Sequence, residues 1–123
     1  MKKIILLSFL YLCLGCEENE TLREEVNLRV QNLSEFDFEQ VLVQAGGTEN
    51  LFGDIPAGQT SFYADFNFAY RYAYVQLEIQ GDTFVIQPID FVGETPLSKG
   101  SYTYQLDVPD FENRDLQLTL RRD

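Results

Sequence analysis

The sequence predicts an all-β fold, an antiparallel β-sandwich of about seven strands, with a small barrel as the competing arrangement. Three observations predict it. From residue 26 onward apolar residues alternate with polar ones at a period of two. The alternating runs are separated by Gly, Pro, Asn and Asp. No stretch after residue 25 carries apolar positions at helical spacing between helix caps.

Val26, Leu28 and Val30 share one face while Asn27, Arg29 and Gln31 share the other, which predicts a first strand covered on one side. Asn32-Leu33-Ser34 matches a glycosylation sequon and is read as a turn at that strand's end. Phe38 to Gln44 predicts a second strand around Val41 and Val43, and Gly46-Gly47 opens a loop. Ile55-Pro56-Ala57-Gly58 is a turn in which proline presets the backbone, and Ser61 to Phe66 is the strand that leaves it. A hairpin with Gly81-Asp82 as its loop sets Ile79 against Phe84 and Leu77 against Ile86, so that the apolar residues pair on one face. Pro88 cannot donate to a ladder and is expected at an edge or beside a bulge. The last two strands alternate through Tyr102, Tyr104, Leu106 and Val108, and through Leu116, Leu118 and Leu120. No internal repeat or second-domain boundary interrupts this series.

Ahead of the strands the chain changes character. Lys2 and Lys3 form a basic end, Ile4 to Leu14 an apolar run, and Leu12-Cys13-Leu14-Gly15-Cys16 closes it with a small residue and a cysteine. A run of this length falls short of the about 20 residues a permanent membrane span needs, and it reads as a targeting leader. The closing residues resemble the lipobox of bacterial lipoproteins, with Cys13 where Leu is typical and Leu14 bulkier than usual. The resemblance implies a signal peptide over 1–15 and a first mature residue, Cys16, carrying a diacylglycerol and a fatty acyl group. Chains of that kind make attachment effectively permanent, since each buried methylene contributes roughly 0.8 kcal/mol. The competing reading is an ordinary cleaved leader with Cys16 as a free thiol. Cleavage would remove Cys13 and leave Cys16 as the one remaining cysteine, so no intrachain disulfide could form.

Residues 16–25 then comprise the candidate lipidated cysteine and a stretch, EENETLREE, too acidic and too poor in apolar residues to pack, and 26–123 the sandwich. Turn-then-strand phrases such as Ile55-Pro56-Ala57-Gly58-Gln59-Thr60 and Gly100-Ser101-Tyr102-Thr103-Tyr104 resemble those of immunoglobulin-like or transthyretin-like lipoprotein domains. The whole arrangement is similar to small uncharacterised lipoproteins of the Bacteroidota. That resemblance implies a place in the bacterial cell envelope, lipid-anchored to the outer membrane on its periplasmic face or at the cell surface. Antibody-type domains carry a Cys…Trp…Cys core, which a chain without Trp cannot supply.

The chain has 9 basic and 20 acidic residues, a formal charge of −11, which becomes −13 without Lys2 and Lys3. That excess repels nucleic acid and anionic head groups. With no histidine, Ser-His-Asp triads, Cys-His pairs and the usual zinc sites are excluded, and no glycine-rich loop opens a helix to cradle phosphate. Asp54, Asp65, Asp90 and Glu94 have the right chemistry for a glycosidase pair by type alone. Asp54, Asp90 and Asp110 have it for calcium, without a DxDxDG loop. No catalytic residue, metal ligand or cofactor is assigned.

Phe62, Phe66, Phe68, Tyr70, Tyr72 and Tyr74 occupy even positions, whereas Ala73, Val75, Leu77 and Ile79 occupy odd ones. The core-facing parity therefore changes near Tyr70 to Tyr74, at a bulge or bend. With Val75 and Leu77 inward, Tyr72 and Tyr74 point outward beside Arg71, forming a candidate interaction surface. The expectation is a non-enzymatic, membrane-anchored structural or protein-interaction module. Its partners would be the membrane, through the lipid anchor, and an envelope protein, with no nucleic acid. The alternative is a binder of a small ligand, glycan or calcium.

Overall fold

Period-two alternation is realised as eight strands in a computed structural model that describes residues 25–88 and 94–123. The leader, Cys16 and the acidic stretch to residue 24 lie outside the described residues, as does Asp90. The strands are β1 (Val26–Asn32), β2 (Phe38–Ala45), β3 (Thr48–Ile55), β4 (Ala64–Phe66), β5 (Tyr74–Ile79), β6 (Asp82–Ile86), β7 (Gly100–Asp110) and β8 (Asp115–Arg122). They form two four-stranded sheets, ordered β4-β1-β7-β8 and β3-β2-β5-β6. The all-β sandwich is as the alternation predicts. All pairings are antiparallel except β1 with β7, which run parallel from Val26↔Gly100 to Asn32↔Leu106. Alternation fixes which face of a strand is covered but leaves the neighbour's direction open, so the parallel pair was not foreseeable from it.

Side chains from both inner faces meet between the sheets. Leu28, Val30, Tyr104 and Leu106 of the first sheet and Phe38, Val41, Val43, Leu77, Ile79 and Phe84 of the second are fully buried. Each large apolar side chain so covered contributes about 1.5–3 kcal/mol. Both cysteines fall outside the described residues, and packing holds these strands together without disulfides.

Three local expectations are corrected. Residues 48–55, read as loop, form strand β3, because Gly46 and Gly47, both at positive φ, make a tight two-residue turn. The strand was hidden because its buried residues, Phe52 and Ile55, are three apart with Gly53 between them. Ser61 to Phe66 contracts to the three-residue β4. In the β5–β6 hairpin the loop residues are Gln80 and Gly81, both at positive φ, so Leu77 pairs with Phe84 and Ile79 with Asp82. Moving the turn centre by one residue leaves every apolar pair on the same face, so the pattern could not distinguish the two registers.

The two ends of the sandwich differ. At the far end, the fully buried Asn32 amide donates to the carbonyls of Phe36 (2.7 Å) and Ile55 (2.9 Å). Its oxygen accepts from the Ser34 amide (2.9 Å) and hydroxyl (2.7 Å). The sequon is thus an internal knot of a turn, satisfied on every side. At the near end lie Glu25, where the described chain begins, the Gly46-Gly47 turn, and residues 67–73, which carry the chain from β4 in one sheet to β5 in the other.

Candidate functional site

The crossing segment 67–73 is held down by small residues and single hydrogen bonds. Ala69 and Ala73 are buried and act as its inward plugs. The Ala69 carbonyl accepts from the Leu97 amide at 2.8 Å, and the Tyr70 carbonyl from the Tyr104 hydroxyl at 2.6 Å. Burial pushes the Tyr104 phenol well above its ordinary range, which keeps it protonated and donating. Beneath the segment, Gly46 lies so close that a Cβ there would sit 2.2 Å from the Phe68 carbonyl oxygen. The parity change therefore falls between buried Phe66 and buried Ala69, earlier than the sequence suggests, and comes from the sheet-to-sheet crossing instead of a bulge within a strand.

Pinned from below, the segment turns its aromatic side chains to the outside. Tyr70, Tyr72 and Tyr74 are half-buried, and Phe68, 42% exposed, packs edge-to-face on Tyr70 with ring centroids 5.9 Å apart. These four rings form one wall of a cleft of about 460 Å3. Gln44, the Ala45-Gly46-Gly47 turn, and Gln87 and Pro88 just beyond edge strand β6 complete the described lining. Gln44 is the ladder partner of Tyr74, whose hydroxyl donates to Gln76 at 2.8 Å. The cleft thus offers aromatic rings, amide groups and backbone, and among the described residues no charged side chain lines it. Its size and character suit an uncharged guest with both apolar and hydrogen-bonding groups.

Tyr72 and Tyr74 share this lining, together with Tyr70, whereas Arg71 does not. Arg71 is exposed and borders a separate depression of about 390 Å3 with Glu94, Thr95, Leu97 and Leu120. Of the other aromatic candidates, Phe66 is buried and Phe62 stacks on Phe52 at 5.3 Å, away from the cleft. Gln44, Gly46, Gly47, Gln87 and Pro88 escaped the sequence reading. The Gly-Gly pair was the available signal, but only the β2–β5 register brings it beside the tyrosines.

The acidic candidates are scattered. Asp54 accepts the Gln40 amide (3.1 Å) at a bulge in β2, Asp110 closes the β7–β8 turn on the Asn113 amide group (2.7 Å), and Asp65 borders a third, polar depression with Glu25 and Thr48. Among the described residues, no three acids, cysteines or histidines converge as a metal site would require.

No family model and no curated protein matches the chain. Solved structures do. An NMR structure of a protein from Eubacterium rectale aligns with a TM-score of 0.60 at 17% identity, covering 89% of this chain and 97% of that one. At that identity the likeness is one of fold.

Proposed function

We propose that this protein is a non-enzymatic recognition module of the bacterial cell envelope, anchored through lipid on Cys16, that grips a protein partner in the tyrosine cleft. One observation carries the reading. The crossing segment is fixed by Gly46, Ala69, Ala73 and the Tyr104 hydroxyl, yet leaves the rings of Phe68, Tyr70, Tyr72 and Tyr74 accessible in a single recess. Aromatic rings with polar tips, presented on a backbone that is already fixed, are the usual anchors of protein contacts.

The test is recovery of the full-length protein with its bound partner from native envelopes. Tyr72→Ala with Tyr74→Ala is expected to abolish partner recovery while the melting transition survives, and Cys16→Ala to abolish fatty-acyl labelling. Undiminished recovery from the double variant would remove the cleft from the binding reaction. Acyl labelling that persists in Cys16→Ala would refute the anchor.

A second reading, a neutral glycan as the guest, is favoured by the same concavity and by the Gln44 and Gln87 amides, which suit sugar hydroxyls above stacking rings. Saturable binding of a neutral oligosaccharide, lost in the double variant, would favour it over the protein partner. Calcium has no comparable support, since the acids among the described residues are scattered.

A further inference from the structure

The cleft and the start of the described chain occupy the same end of the sandwich. Glu25 lines a depression with Thr48 and Phe66. Thr48 follows the Gly46-Gly47 wall of the cleft directly, and Phe66 stands two residues before its Phe68 wall. The opposite end, with the Asn32 knot and the Gln80-Gly81 turn, faces away. Between Cys16 and β1 lie the nine residues Glu17 to Glu25, a length that reaches about 30 Å when fully extended.

We infer that the partner segment gripped by the cleft is a juxtamembrane one: an extended, uncharged stretch flanked by basic residues, lying beside a membrane span of an integral envelope protein. The inference rests on the proposed function, both the anchor at Cys16 and the cleft as the binding element. Position gives the first argument. A domain tethered by so short a chain, attached at the cleft's own end, sweeps that end over the bilayer surface and holds a high local concentration only for what lies there. Charge gives the second. The described lining is neutral, while acids stand near it. Glu49 is the ladder partner of Gln44, Asp65 borders the depression at Thr48, and Glu94 shares a depression with Arg71. A neutral core with basic flanks complements that distribution. Concavity gives the third, because a flat bilayer surface supplies no ridge to fill a recess of about 460 Å3, whereas an extended polypeptide does.

The experiment places the photo-cross-linker p-benzoylphenylalanine at Tyr72 in the full-length, membrane-anchored chain and, as a control, at Gly58 on the far end, with adducts mapped by mass spectrometry in intact envelopes. The expected result is an adduct from position 72, not 58, on residues adjoining a membrane span of an integral protein. A synthetic peptide of that segment is then expected to bind the protein and to lose about tenfold or more in affinity with Tyr74→Ala. Gln44→Lys, at an exposed position that leaves packing intact, is expected to weaken it comparably by placing a positive charge in the lining. Adducts on a soluble protein, or on a segment distant from any span, would overturn the juxtamembrane assignment and leave the cleft reading standing. Adducts on lipid would make the bilayer the occupant and overturn it too. Equal labelling from positions 72 and 58 would remove the cleft reading and this inference with it.

Discussion

Gly46 and Gly47 both adopt the left-handed backbone that a tight hairpin turn requires, at φ 58° and 75°, but only one of them is also crowded. A Cβ on Gly47 would meet nothing within 4 Å, whereas one on Gly46 would strike the Phe68 carbonyl. Gly47→Ala is therefore expected to cost about 1 kcal/mol, the ordinary conformational penalty. Gly46→Ala is expected to cost roughly 2–4 kcal/mol, as displacement of the crossing segment adds to the same penalty. Urea denaturation of the two variants measures the difference. Equal losses would mean that the segment yields freely and that the cleft wall is not pinned there. The glycine pair was legible as the opening of a loop, not as the tight turn it makes. What it touches was not, because that contact joins residues more than twenty positions apart through the stacking of two sheets.

Among the strands, the sequence was most informative where burial alternates residue by residue, as in β1 and β5, and least where a bulge or short edge strand disturbs the period. In β2 the residues between Phe38 and Val41 bulge, with Gln40 at positive φ, so that two buried residues stand three apart. Val75 and Leu77 are buried and the tyrosines half-buried, and the gathering of the tyrosines along a cleft depends on the crossing from β4 to β5, which carries no periodicity. That segment's hold on the core is testable through Tyr104. Removing its hydroxyl strands the Tyr70 carbonyl beneath the segment, so Tyr104→Phe is expected to lower stability by about 1–2 kcal/mol. Hydrogen exchange at the Leu97 amide, which bonds the neighbouring Ala69 carbonyl, should accelerate more than exchange within β1. Uniform acceleration across all strands would assign the hydroxyl to global stability and not to the crossing.

Across the whole molecule, the response to pH joins the acidic excess to one network on the outer face of the first sheet. The Asp123 carboxylate accepts from the Thr103 hydroxyl at 2.8 Å and from the Tyr63 phenol, and lies 3.5 Å from Arg29 and 3.4 Å from Arg121. Arg29 also donates to Thr103 at 3.0 Å and sits over the Tyr63 ring, so β1, β7, β8 and the chain before β4 are tied at one point. Partial burial works to raise the Asp123 pKa, but the hydrogen bonds from Tyr63 and Thr103 and the nearby Arg29 outweigh it and leave the carboxyl below its usual range. The Tyr63 pKa is raised, chiefly by the hydrogen bond to Asp123. The network therefore requires an anionic aspartate and a neutral phenol. A depressed carboxyl contributes stability that is complete above its unfolded pKa of about 3.9 and is lost as pH falls through the lower folded value. A raised phenol contributes stability that is complete below its unfolded pKa of about 10 and is lost as pH rises through the higher folded value. With no histidine, the self-repulsion of a chain carrying −11 is relieved on acidification only as the carboxylates at large begin to protonate, which opposes the acid loss until Asp123, held lower, titrates in turn. Thermal melts across pH are thus expected to place maximum stability on the acid side of neutrality, with a fall below about pH 4. Asp123→Asn should flatten both limbs, because the carboxylate is also what raises the Tyr63 phenol, whereas Tyr63→Phe should flatten the alkaline limb and only lessen the acid one, since Thr103 and Arg29 still hold Asp123. If both limbs kept their wild-type slopes in the two variants, the pH response would belong to diffuse surface charge, and this network would contribute nothing to it.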